Sequence, residues 1–307
     1  MNRRSFLKAS TGALALVSAG QVSYAATGVS AKKSRRIRFH LGMAGYTYNK
    51  FTIDQTLAEL EQFGVHHLCV KDFHLPIQST EAEIGAFRKK CADHGVTPYG
   101  VGPIYMQTED EAKRAFAYAA ALGVPVVVGV PWKPDANGST KWNQRRQSPE
   151  LCAKVAELCA QYDLKFAIHN HGRNPQTGSP ALFGAPADVW EIVKDLDKRM
   201  GFCIDVAYTF ADGFDPAEVI RSYAGRIFDC HFRNISDPKN GSAGVNSSDG
   251  VIDYLPIVRA LADIGYEGAC GIELANAFPK TPAWIPLSIG YFKGLMDAVD
   301  AAMPREA

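Results

Sequence analysis

The chain has 307 residues, 47% of them hydrophobic and 21% charged, and a formal net charge of +1. That composition supplies a full apolar core and excludes a disordered or collagen-like chain, and the length suits one large domain or two small ones. From residue 26 onward 30 bases face 32 acids, and without the bases of residues 26–36 the balance is 26 to 32. A mildly acidic body excludes a nucleic-acid phosphate backbone as an expected partner, because such binding needs clustered Lys and Arg.

In chain order, the first feature is Asn2-Arg3-Arg4-Ser5-Phe6-Leu7-Lys8, followed by the apolar run Ala9 to Gly20 and then Ser23-Tyr24-Ala25. A charged start, a short apolar run and a small-x-small site read as an export signal over residues 1–25. The paired arginines resemble the twin-arginine type, which predicts a periplasmic or secreted protein. Residues 26–36 read as a linker. No later stretch approaches the roughly 18 apolar residues of a membrane span, so no membrane association is expected after cleavage.

From residue 37 the chain alternates two patterns. The strand-like runs are Ile37–Met43, His67–Lys71, Thr97–Val101, Pro125–Val130, Lys165–Asn170, Gly201–Val206, Ile227–Phe232 and Ala269–Leu274. They are rich in Val, Ile and Cys without clean alternation, as parallel strands buried on both faces are. Between and after them, apolar residues recur at three- and four-residue spacing. The predicted helices are Ile53–Phe63, Glu81–His94, Glu109–Leu122, Pro149–Tyr162, Ala187–Leu196, Pro216–Tyr223, Leu255–Ile264 and Leu287–Ala302. Gly64, Gly95, Gly123 and Gly265 stand just past helix ends, and Asp215-Pro216 reads as an N-cap with proline at the first helical position. Eight strands alternating with eight helices predict an α/β fold, a single-domain (β/α)8 TIM barrel over residues 37–303. The seven cysteines are odd in number, lack CxxC spacing and mostly lie in apolar runs, so they read as small buried hydrophobes.

Reactive groups of such barrels gather at the carboxyl ends of the strands. Strand two ends in Lys71-Asp72-Phe73-His74, strand five in His169-Asn170-His171 and strand six in Asp205-Val206-Ala207-Tyr208. Strand seven carries His231-Phe232-Arg233-Asn234 and strand eight Glu273-Leu274-Ala275-Asn276. His169, Asp205, His231 and Glu273 come from four successive strands and offer two imidazoles and two carboxylates. That set suits a divalent Mn, Zn, Co or Fe ion. The base candidates are His171, His74, Lys71 and Glu273. Tyr208, Asn234, Trp132 and Asn276 are candidates for substrate contact, and the aromatics Tyr46, Tyr48 and Trp142 lie in loops at the same face.

Over roughly residues 37–300 the chain resembles the xylose isomerase-like barrels, which include AP endonuclease-type barrels, sugar isomerases and ketose epimerases. The resemblance rests on Asp205, His231, Glu273 and the loop Asp249-Gly250-Val251-Ile252-Asp253. It implies that Asp205, His231 and Glu273 are ligands, usually of Mn2+. His169 stands where ketose epimerases place a glutamate, Tyr208 where the pattern has His, and Asn234 where it has Asp. With one metal-bound carboxylate base rather than two, paired-glutamate epimerisation is disfavoured. The wording Lys71-Asp72-Phe73-His74-Leu75-Pro76 with Ala167-Ile168-His169-Asn170-His171-Gly172 resembles an exported branch linked to lyase chemistry on 3-keto-glycosides. The expectation is therefore a metal-dependent enzyme that abstracts a proton beside the carbonyl of a non-phosphorylated sugar, with a lyase or isomerase outcome. Its partner is a small carbohydrate, and a homo-oligomer is compatible with the pattern. The other readings are a sugar epimerase of the same family and a non-catalytic exported sugar-binding barrel.

Overall fold

The computed structural model describes residues 37–141, 144–174, 178, 182–274 and 283–303. The barrel strands are β1 (His40–Ala44), β2 (His67–Val70), β3 (Thr97–Met106), β4 (Val126–Lys133), β5 (Lys165–His169), β6 (Met200–Asp205), β7 (Ile227–Phe232) and β8 (Ala269–Ile272). Each pairs in parallel with its sequence neighbours, and β1 lies beside β8, so the sheet closes on itself. Closure removes the exposed edges that an open sheet must protect. The surrounding helices are α1 (Ile53–Gln62), α2 (Glu81–Asp93), α3 (Glu109–Leu122), α4 (Pro149–Tyr162), α5 (Pro186–Val193), α6 (Pro216–Ser222), α7 (Leu255–Asp263) and α8 (Trp284–Ala302).

Local chemistry sets these boundaries. Thr52, Thr80 and Thr108 each cap a helix, while Gln55, Glu83 and Glu111 return the bond to the capping residue's backbone. Two orphan N–H groups are thus satisfied at the start of α1, α2 and α3. Asp215 accepts from Ala217 and Glu218 N–H ahead of Pro216, as its sequence position predicts. Phe116, Phe166, Phe202, Phe232 and Phe292 fill the layer between sheet and helices. A smaller layer inside the barrel holds Cys69, Tyr99, Val128, Ala167 and Cys203. All seven cysteines are buried and unpaired, in keeping with the small-hydrophobe reading. No helix among the described residues is long and apolar enough to cross a membrane.

Three departures from the sequence expectation matter for the site. β3 runs to Met106 rather than stopping at Val101, because Gly102, at φ +130°, lets the strand pass against the backbone of Val128 where a Cβ would overlap it. Asp205 caps an additional helical turn, Val206–Ala211, directly after β6. Asn234–Ile235 and Gly244–Val245 form a small antiparallel ribbon after β7. All three reshape the carboxyl face of the barrel.

Candidate metal centre

Side chains two apart on a strand share a face. On β7 this brings Asp229 and His231 to the barrel interior, with Arg233 following just past the strand. On β5 it aligns Ala167 and His169, followed by His171, and on β6 Cys203 and Asp205. Glu273 enters from just beyond β8, and Lys71 from just beyond β2. Small residues, Cys69, Ala167 and Cys203, fill the layer beneath. The polar groups are thereby stacked at the carboxyl end.

His169, Asp205, His231 and Glu273 converge there, with one donor atom of each lying within 4.8 Å of the others. His169 Nε2 is 3.1 Å from His231 Nδ1, and His231 Nδ1 is 3.3 Å from Glu273 Oε2. His169 Nε2 is 3.8 Å from Asp205 Oδ2. Donors about 2.0–2.1 Å from a tetrahedral ion sit about 3.3 Å from one another, so the spacing fits one ion. All four residues are buried. Burial, then the neighbouring His171 and His231, holds His169 well below its ordinary pKa, which leaves the neutral imidazole that ligation requires. Burial raises Asp205, against the pull of Arg233. Burial also pushes Glu273 upward, but His231 and Arg233 outweigh it and draw Glu273 down to about 2.

Several groups orient this cluster. Asp205 Oδ1 accepts from Tyr208 N–H, and Asp205 N–H donates to Asn170 Oδ1. Asp229 is fully buried; its Oδ1 accepts from Cys230 N–H at 2.8 Å and the Tyr99 hydroxyl at 3.4 Å, while its Oδ2 faces His231 Nε2 at 3.6 Å. A carboxylate behind a ligating histidine fixes the ring and its tautomer. Here the arrangement turns Nδ1 of His231 toward the other three donors. Arg233 donates to Asp205 Oδ2 at 3.0 Å and to Gly241 O at 2.6 Å, and its guanidinium lies 4.6 Å from the centre of the Tyr208 ring.

Above the cluster opens a cleft of about 500 Å³, lined among others by Tyr46, Lys71, Tyr105, His171, Tyr208 and Arg233. Lys71 Nζ donates to Pro103 O at 2.8 Å. His171 Nε2 lies 2.8 Å from the Tyr105 hydroxyl, and burial depresses the imidazole to about 3. Lys71, His171, Tyr208 and Glu273 thus stand where the sequence places reactive groups.

Three candidates do not. His74 turns away from the cleft: its Nε2 lies 3.2 Å from Thr56 Oγ1 and its ring meets Phe73 edge-on. It follows β2 by enough residues that the chain has already turned toward α2. Asn234 is consumed by its own loop, donating to Ser247 O and Ile252 O and accepting from Ile235 and Ile252 N–H. A Cβ at Gly250 would overlap its carboxamide, which accounts for the glycine in the Asp249-Gly250 loop. Trp132 is buried beneath the Arg145 guanidinium, 4.0 Å from its ring centre, and does not line the cleft. Asn276 and Trp142 lie outside the described residues. The groups without a role in the sequence reading are Arg233, Asp229 and Tyr105. Period-two alternation from His231 points to the first two; Tyr105 depends on the extension of β3.

The profile of a family described as the xylose isomerase-like TIM barrel matches residues 57–294. The chain belongs to that family. Among xylose isomerase-like proteins, it is 30% identical over 120 residues to a mannonate dehydratase of Brachyspira hyodysenteriae, covering 37% of this chain and 34% of that one. It is 27% identical over 199 residues to an inosose dehydratase of Clostridium botulinum, covering 55% of this chain and 63% of that one. The matches therefore span between about a third and just under two thirds of these relatives. The crystal structure of a protein called IolI, with a bound zinc atom, superposes with a TM-score of 0.65 at 18% identity, covering 86% of this chain and 100% of that one. At that identity the likeness concerns the fold.

Proposed function

We propose that this chain is an exported sugar-processing enzyme that holds one divalent metal between His169, Asp205, His231 and Glu273. Its reaction is the removal of a proton beside the carbonyl of a non-phosphorylated keto-sugar, with loss of the substituent on the next carbon. The single observation that carries the reading is the convergence of two imidazoles and two carboxylates at ligand spacing on four successive strand ends. Two relatives that share part of the sequence are named as dehydratases, of mannonate and of inosose, which supports a water- or alcohol-eliminating reaction.

The metal, when bound, supplies a Lewis acid that acidifies the hydrogen beside the carbonyl. The chain's residues supply the rest. His171, neutral in the cleft and fixed by Tyr105, accepts the proton. Its own low affinity for a proton rises as negative charge develops on the substrate oxygen beside it. Lys71 and Arg233 face that charge, and Lys71 donates a proton to the leaving oxygen. Tyr208 and Tyr46 close the sides of the cleft. A paired-carboxylate epimerisation finds no support, because β5 presents His169 where the second carboxylate would stand.

The direct test is release of 4-nitrophenol from 4-nitrophenyl 3-keto-β-D-glucoside by metal-free protein and by protein supplied with Mn2+, Zn2+ or Co2+. Release that depends on metal and disappears in His171→Ala supports the reading. A product that is only the isomeric keto-sugar moves the chemistry to an isomerase, and binding without turnover moves it to a sugar-binding barrel.

A further inference from the structure

The four-donor centre leaves one neighbouring donor unused, the thiol of Cys203. This residue stands on β6 two positions before Asp205, so its side chain shares the interior face one layer deeper. It is in register with His169 on β5 and with Asp229 on β7. Cys203 Sγ and one nitrogen from each of His169 and His231 lie within 4.8 Å of one another. All three residues are buried. Among the described residues, Cys203 is the one cysteine grouped in this way with imidazoles.

The two imidazoles are held differently. His231 Nε2 faces Asp229 Oδ2 at 3.6 Å, which turns Nδ1 toward His169 Nε2 at 3.1 Å. His169 Nδ1 is buried and has no hydrogen-bond partner among the described residues. A ligating histidine is ordinarily fixed by a carboxylate or carbonyl behind its ring. His231 has that support and His169 lacks it, so the His169 ring can adjust to donors on either side of it.

We infer that His169, Cys203 and His231 form a second donor set beneath the cleft, and that its ion is Cu(I). Two imidazoles with one thiolate form a copper donor set, whereas carboxylates suit harder ions such as Mn2+. Cu(I) with one thiolate and two neutral imidazoles carries no net charge, which suits a buried position. With copper bound to Cys203, Asp205 keeps its 3.0 Å pair with Arg233. The two sets share both imidazoles, so they hold one ion at a time, and copper excludes the ion of the carboxylates. Binding balances without an oxidant: the Sγ–H proton passes to solvent, a sulfur lone pair forms the Cu–S bond, and the metal remains Cu(I). The inference shares residues with the centre described above and does not depend on its reaction or substrate.

The test titrates the metal-free full chain and its Cys203→Ala variant with Cu(I), in the absence of oxygen, against a colorimetric Cu(I) chelator, and with Mn2+ in parallel. X-ray absorption at the copper edge reads the neighbours of the bound ion. The expected result is one Cu(I) per chain, with one sulfur and two nitrogen neighbours, that prevents Mn2+ from binding. Cys203→Ala should lower Cu(I) affinity by more than about 100-fold, because losing a ligand exceeds the 10–100-fold typical of losing a group behind one, and should leave Mn2+ affinity unchanged. A copper edge of the wild-type protein without sulfur overturns the assignment whatever the variant does. So does a Cu(I) affinity that Cys203→Ala leaves unchanged, or an equal loss of Cu(I) and Mn2+, which makes Cys203 a packing group only. Copper held as expected by a chain that binds no Mn2+, Zn2+ or Co2+ keeps the copper site and sinks the four-donor centre.

Discussion

The mouth of this barrel has two unlike halves. The sector from β5 to β8 crowds His169, His171, Asp205, Asp229, His231, Arg233 and Glu273 into buried positions. The sector from β1 to β3 presents exposed aromatics and a cavity where Val70, Leu75, Ile77 and Val101 stand with Asp72 and Arg114, and Lys71 is at the border. The first half concentrates charge that is stable only when paired, since an isolated ion in such a setting would neutralise itself. The buried charged cluster and the exposed aromatics thus fall to different strands.

That separation is open to attack by substitution, beginning with the most damaging change. Asp205→Ala or His169→Ala should lower metal affinity by more than about 100-fold, because losing a ligand exceeds the 10–100-fold typical of losing a group behind one. Competition with a chelating dye measures it, and unchanged affinity removes that residue from the ligand set. Arg233→Met should next destabilise the metal-free protein by about 3–5 kcal/mol, by leaving buried Asp205 without its cation. Bound metal should restore much of that loss, so urea unfolding with and without Mn2+ tests the compensation; an equal loss in both states contradicts it.

Asp229→Asn probes the orienting layer. It should weaken metal binding about 10–100-fold while the fold survives, and NMR of the zinc-loaded wild-type protein should find the His231 proton on Nε2. A proton on Nδ1 sinks the idea. The smallest effect is expected at Asn234→Ala, which unties the Ser247–Ile252 loop at a cost of about 1–3 kcal/mol per unsatisfied group and leaves metal affinity unaltered. A large loss of metal there would return Asn234 to the site.

The alternation of strands and helices was legible because each element carries a local signal. The helix at Glu109–Leu122 has its capping threonine, its periodic face and its terminal glycine all in sequence. The four donors were legible because strand ends fix depth in a barrel, so residue type and position together suffice. Other features depend on the third dimension. Nothing local says that β3 continues past Gly102, since the strand does so through its close approach to Val128. Likewise His74 and Asn234 look reactive by type, yet Thr56 and the Ser247–Ile252 loop, distant in sequence, decide their partners. Asp229 and Arg233 lay within reach of the alternation rule once His231 was placed. What hid them is that a buried charge is expected only where its partner is known.

The most direct test of the central claim is elemental analysis of the purified protein, coupled to titration of the metal-stripped form with Mn2+, Zn2+ and Co2+. The account predicts one equivalent of divalent metal per chain, bound competitively among the three ions and lost in His169→Ala. A wild-type protein that binds none of them, and whose behaviour toward keto-glucosides is unchanged by their addition, would contradict it.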